Sequence, residues 1–218
     1  MHPDLNSLIK CSATLALATL VLLFAVSSVE KATSARIAQS RQHHKQTVLN
    51  QLLEHIKYDH LVNLPLWSEK AVNITPTISL LSMQAVITYQ QQSAVLLEIA
   101  TTEGYNGLIK LLVVIDANGV IKGVRVIEHH ETPGLGDKIE ASRSVWIGSF
   151  VNQSLQNPSS NQWQVKRDGG QFDQFTGATI TPRAVVKAIH AILTFAHAHA
   201  HHQQFFPQPQ TPSTVTTQ

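Results

Sequence analysis

The sequence predicts an α+β fold: a mixed or antiparallel sheet with packed helices, carried on a single N-terminal transmembrane helix. Three observations predict it. Cys11 to Val29, CSATLALATLVLLFAVSSV, is a run of 19 residues without a charge. Short apolar runs of strand length at 94–100 and 108–115 are followed by a β-branched run at 120–127. An apolar stripe at helical spacing extends from about Pro182 to about His197. Composition agrees. Of 218 residues, 43% are hydrophobic, enough for one globular core, but only 14% are charged, against about 25% in an ordinary soluble domain. Sixteen basic and 14 acidic side chains leave a net charge of +2, without the clustered basic excess of a nucleic-acid binder. One cysteine, Cys11, excludes an intrachain disulfide framework and any multi-cysteine zinc or iron–sulfur site.

The uncharged run would span about 28 Å as a helix, close to a bilayer core. Ser12, Thr14, Thr19, Ser27 and Ser28 dilute it, but hydroxyls that bond back to helix carbonyls are tolerated in lipid. A cleaved signal peptide is the rival, because Ala25-Val26-Ser27 has the small-x-small form of a cleavage site. Lys31, Arg36, Arg41 and Lys45 follow the run and only Lys10 precedes it, so the positive-inside rule alone would place the C-terminal part in the cytoplasm. Val48, Leu49, Leu52, Leu53 and Ile56 then recur at helical spacing, which predicts a helix ending near Pro65. Asp116-Ala117-Asn118-Gly119 is a turn signal and makes 108–127 a hairpin. Residues 137–151 read as helical with Asp137 as cap, and 152–161 as polar and turn-rich. The last helix starts at Thr181 as N-cap and Pro182 as first residue, and its stripe is Val185, Val186, Ile189, Ile192, Leu193 and Ala196. The Gln-, Pro- and Thr-rich tail reads as disordered.

Three groups of residues could carry chemistry. Glu128-His129-His130-Glu131 invites a metal, but adjacent strand residues face opposite sides, so only alternate members could share an ion. Thr132-Pro133-Gly134-Leu135-Gly136 follows. Proline fixes one φ and the two glycines allow close backbone approach to something flat or phosphorylated; an ordinary turn is the alternative. The second group, Asp173 to Pro182, sets small and hydroxyl residues before a helix N-terminus, where free N–H groups favour a phosphate; a capped turn without ligand is the alternative. It is not a Walker loop, since no Gly-Lys-Ser/Thr follows. The third group, His190, His197, His199, His201 and His202, reads as a solvated helix end rather than a metal site, because no acidic or cysteine ligand joins it.

Asp173, Thr176, Gly177, Ala178 and Thr179 form Asp-x-x-Thr-Gly-Ala-Thr, which is similar to the recognition motif of proteins flavinylated by an FMN transferase. The wider string from Asp168 to Val186, together with Glu131–Gly136 and the N-terminal membrane helix, resembles the G subunit of the Rnf (Rsx) ion-translocating electron transport complex of bacteria, over about residues 8–195. The C subunit of the sodium-pumping NADH:quinone reductase shares the domain and motif and remains the near alternative.

The resemblance implies FMN joined through its phosphate to Thr179, with Asp173, Thr176, Gly177 and Ala178 around it. The segment Glu131 to Gly136 would approach the flavin, with Thr132, Gly134, Leu135 and Gly136 as the residues at the ring. It implies an electron carrier, not a complete enzyme by itself, that partners other subunits of the complex and the FMN transferase. It places the chain in the inner membrane, single-pass, with its domain in the periplasm, against the charge count. Residues 1–30 would be the cytoplasmic N-terminus and anchor, 31–66 a helical stalk, 67–200 the FMN-binding domain and 201–218 a disordered tail. Trp67, Trp146 and Trp163 read as packing residues. No G-x-G-x-x-G follows a strand, so NADH binding is not expected. Two readings of other classes stay open: a periplasmic His-rich metal-binding protein, and a structural subunit that carries no flavin.

Overall fold

The computed structural model describes residues 5–54, 58–63, 71–88 and 93–199. Among these residues a long helix, α1 (Leu5–Glu54), leads into six strands: β1 (Tyr58–Asn63), β2 (Val72–Thr75), β3 (Ile78–Thr88), β4 (Ser93–Gly104), β5 (Gly107–Asp116) and β6 (Ile121–His129). Short 3-10 turns follow, and a final helix, α2 (Ile180–His199), closes the described chain. The chain divides into two compact units, Met1–Gln46 and Thr47–Gln218.

Within the first unit, α1 contains the one helical stretch among the described residues that is long and apolar enough to cross a membrane, with a mean hydropathy of 2.1 and none of that window buried. Thr14, Thr19 and Ser28 donate to the carbonyls of Cys11, Leu15 and Phe24 at 2.9, 3.0 and 2.7 Å. Their hydroxyls are thereby satisfied within the helix, as lipid requires.

In the second unit every strand pairing is antiparallel. The order is β1-β3-β4-β5-β6, with β2 beside β1 on the free edge of β3. The β5–β6 turn forms as its sequence dictates: Asp116 Oδ1 accepts the amides of Asn118 and Val120, both at 2.9 Å, and Gly119 takes φ +77°. One sheet face, through Leu97, Ile99, Leu111, Val113 and Ile115, packs on Val185, Ile189 and Ile192 of α2 and on Trp146, Phe150, Trp163 and Phe172. The other face, through Val86, Leu96, Leu112 and Val114, is covered by Leu52 and Leu53 of α1. Double burial explains why β4 and β5 read as continuous apolar runs and not as alternation. Gly123 makes room for this: a Cβ there would lie 2.4 Å from Leu52 Cδ1.

Three elements differ from expectation. The helix expected to reach Pro65 ends at Glu54, and 58–63 pairs as β1 with β3. Tertiary pairing of a Tyr- and Val-bearing segment overrides the helical period once Leu52 and Leu53 are seated. The stretch 137–151 is not one helix but two 3-10 turns, Asp137–Ile139 and Trp146–Phe150. Between them Ser144 Oγ accepts the Trp146 amide at 3.1 Å, a local bond that competes with helix continuation. Asp137 does not cap: Gly136 holds that position without a side-chain bond, and Asp137 is buried near Arg143. Lastly, α2 starts at Ile180, two residues before Pro182. Trp67, His201, His202 and the 201–218 tail lie outside the described residues.

Candidate functional site

Two glycine turns from distant parts of the chain meet beside the start of α2. In the first, the Leu135 amide donates to Thr132 O at 3.1 Å and Gly134 takes φ +77°. Proline second and glycine third is the residue order that a type II turn demands. In the second, Ala178 donates to Phe175 O at 3.2 Å and Gly177 takes φ +82°. A Cβ on Gly177 would lie 3.5 Å from Leu135 Cδ2, so the turns are in contact.

Between them lies a cleft of about 220 Å³ lined by Tyr105, Glu131, Thr132, Leu135, Gly136, Gly177, Ala178, Thr179, Ile180 and Thr181. Its mouth exposes apolar surface on Tyr105, Leu135 and Ile180. Thr179 is half-buried at the N-cap of α2. Its carbonyl accepts the first helical bond, from the Arg183 amide at 3.3 Å. Its hydroxyl makes no hydrogen bond among the described residues. The Ile180 and Thr181 amides have no partner within the helix, and Pro182 has no N–H. The Thr181 hydroxyl, expected as the cap, donates instead to Glu131.

Glu131 is buried yet lines the cleft. Its Oε1 accepts the Asn106 amide at 3.1 Å and its Oε2 the Thr181 hydroxyl. Its own amide donates to His129 Nδ1 at 3.1 Å, which leaves Nε2 of that ring to donate to Glu140 at 2.7 Å. Burial raises the Glu140 pKa, but hydrogen bonds from His129 and Ser142 and the nearby positive charge outweigh it, and the net shift is downward. Glu128 pairs with Lys110 at 2.8 Å. The run 128–131 thus sends its carboxylates and His129 to separate protein partners.

Of the residues expected at a cofactor, Thr132, Leu135, Gly136, Gly177, Ala178 and Thr179 line the cleft, and Gly134, Asp173 and Thr176 do not. Asp173 is exposed and pairs with Lys166 at 2.6 Å, and its carbonyl accepts Trp146 Nε1–H at 2.8 Å. Thr176 is exposed. Three lining residues, Tyr105, Ile180 and Thr181, were not expected as ligands. Tyr105 tips the β4–β5 turn; the hairpin register, which pairs Ile109 with His129, carries it to the end of β6. Thr181 was visible in sequence but read as a cap, and Glu131 was expected near the flavin as the start of the 131–136 segment, without a role of its own. Ile180 carried no signal.

Nearby, Arg183 binds Asp168 through two bonds of 2.6 and 2.9 Å and holds that carboxyl below the ordinary range. His190 stacks on Trp163 with centroids 5.6 Å apart, sits 3.0 Å from Ser160 Oγ, and burial pushes its pKa down. His199 stacks on Phe195. Among the described residues no three His, Cys, Asp or Glu side chains come together as a metal group.

Residues 104–194 match the family model described as FMN-binding domain. The chain is 39% identical over 209 residues to the G subunit of the ion-translocating oxidoreductase complex of Vibrio vulnificus (strain YJ016), covering 94% of this chain and 96% of that protein. It is 41% identical over 201 residues to the protein of the same name from Pseudomonas aeruginosa (strain UCBPP-PA14), covering 88% and 90%. With that from Vibrio cholerae serotype O1 (strain ATCC 39541 / Classical Ogawa 395 / O395) it shares 41% over 184 residues, 81% and 83% of the two chains.

Proposed function

Since the chain belongs to the family of G subunits of ion-translocating oxidoreductase complexes, we propose that it is the membrane-anchored component that relays electrons in such a complex through FMN esterified by its phosphate to Thr179. The observation that carries this reading is the cleft: a family match to an FMN-binding domain covers 104–194, and both turns that the sequence motifs encode form its walls. The chemistry of the site fits the group. Thr179 offers an unpartnered hydroxyl at a helix N-terminus, where positive partial charge favours a phosphate. Leu135, Tyr105 and Ile180 offer apolar surface for a flat ring. At about 220 Å³ the cleft is smaller than the roughly 300–1,000 Å³ of ligand-enclosing pockets, so the ligand would stand partly outside, which suits a carrier that must pass electrons to a neighbour.

Bound FMN supplies reversible electron uptake, and the protein around it sets how readily that happens. Thr179 bears the group, the Ile180 and Thr181 amides face its phosphate, and the Thr132–Gly136 turn holds the ring. Asp173 and Thr176, exposed and outside the cleft, suit recognition by the FMN transferase better than contact with the flavin. The other subunits of the complex are partners, the inner membrane is its location, and the domain after α1's apolar stretch is periplasmic. Peptide mass spectrometry of protein co-expressed with the transferase should find FMN on Thr179 and not on Thr176 or Thr181. Thr179→Ala should lose all denaturation-resistant yellow colour; colour retained in that variant would sink the assignment.

A further inference from the structure

Three walls of the cleft come from different parts of the fold: the β4–β5 turn, the loop after β6, and the first turn of α2. One side chain joins them. Glu131, only 5% exposed, takes the Asn106 amide of the first wall on Oε1 and the Thr181 hydroxyl of the third on Oε2, while its own backbone belongs to the second. His129 Nδ1 holds its amide. Space for the carboxylate exists because two neighbours lack side chains. A Cβ on Gly104 would lie 2.7 Å from Oε1, and one on Gly136 would lie 2.8 Å from Oε2 and 3.0 Å from Thr181 Oγ1. Both oxygens are engaged by protein, Oε1 by the Asn106 amide and Oε2 by the Thr181 hydroxyl.

A carboxylate buried at a cleft needs a reason. For neutral struts the same ties could be made by an amide without bringing charge out of water. We propose that Glu131 is a positioning residue that locks the three walls together and fixes a negative charge beside the flavin, making the flavin harder to reduce. The inference rests on the reading of the cleft as the FMN site. Each electron added to the ring adds negative charge unless a proton follows, and a fixed carboxylate in a partly water-excluded cleft opposes that charge. The Thr181 hydroxyl, by donating to Oε2, partly offsets that charge.

The signs of two variants test this on full-length, co-expressed protein by spectroelectrochemical redox titration with mediator dyes. Glu131→Gln keeps the shape: its Oε1 can accept from Asn106 and its NH₂ can donate to Thr181. It should stay yellow and shift the flavin midpoint positive, by about tenfold in the oxidised-to-reduced equilibrium, or ~59 mV for one electron. Thr181→Val leaves the carboxylate but removes its donor, and should shift the midpoint negative. A positive shift in the first with a negative shift in the second supports the proposal; midpoints unmoved, or moved in any other combination, overturn it. If Glu131→Gln does not accumulate, the sign in Thr181→Val alone decides. Wild-type protein without covalent flavin would instead defeat the FMN reading.

Discussion

Thr179 and Thr181 stand two residues apart and use their hydroxyls in opposite ways. One is left without a partner at the helix cap, and the other is consumed by a buried carboxylate. A carrier group can be esterified only to the first without breaking a structural bond. The same contrast separates two glycines of the Thr132–Gly136 turn. Gly134 takes φ +77°, but a Cβ there meets nothing within 4 Å. Gly134→Ala should therefore cost about 1–2 kcal/mol of stability through backbone strain alone, with the flavin absorbance unchanged. At Gly136 a Cβ would press on Glu131 and Thr181. Gly136→Ala should cost about 1–3 kcal/mol and also move the visible absorbance. Thermal melts and spectra of both proteins check the pair; equal spectra would show that the turn does not touch the ring.

At the scale of elements, the end of α1 is core. Leu53 is fully buried against the sheet, and Leu53→Ala should cost about 2–5 kcal/mol, whereas Ala at exposed Glu54 should change stability by less than about 0.5 kcal/mol. Denaturant titration separates them. The α2 element carries a pH response. Burial lowers the His190 pKa below its unfolded value, so below the ordinary histidine pKa of about 6.5 the unfolded chain binds the extra proton first. Stability is then full above that pH and falls as pH drops toward the folded pKa. Melting temperature should decline from pH 7 to pH 5, and His190→Gln should flatten that decline; an unchanged slope would count against it. Elements were legible where one force acted locally. The 108–127 hairpin was readable because Asp116 and Gly119 form the turn by themselves. β1 was not, since only β3 makes residues 58–63 a strand. The 137–151 stretch has helical periodicity in its apolar residues, but Ser144 diverts the backbone. In the site, the two turns were readable from proline and glycine, whereas Tyr105 became visible only through the strand register, and Glu131, expected near the flavin from its segment, gained a role only through the partners that burial gave it.

Across the whole molecule, the apolar stretch of α1 and the sheet domain make separate predictions. An alkaline phosphatase fused after Pro65 should be active, as the periplasmic assignment requires. Fluorescence from a cytoplasmic reporter at the same point would mean that Lys31, Arg36, Arg41 and Lys45 direct orientation after all.

The double burial of β4 and β5 also bears on how a carrier works. Strands covered on both faces open only when the whole domain does, so their amides, such as those of Leu97, Ile99, Leu111 and Val113, should exchange with deuterium at the slowest rates in the protein. The cleft's first wall is the turn that joins these two strands, and its second begins where β6 leaves β5. Its lining is therefore tied directly to the part of the molecule least able to relax. When charge arrives on a group held there, the dipoles around it stay where they were, and little reorganisation is needed for the electron to move on.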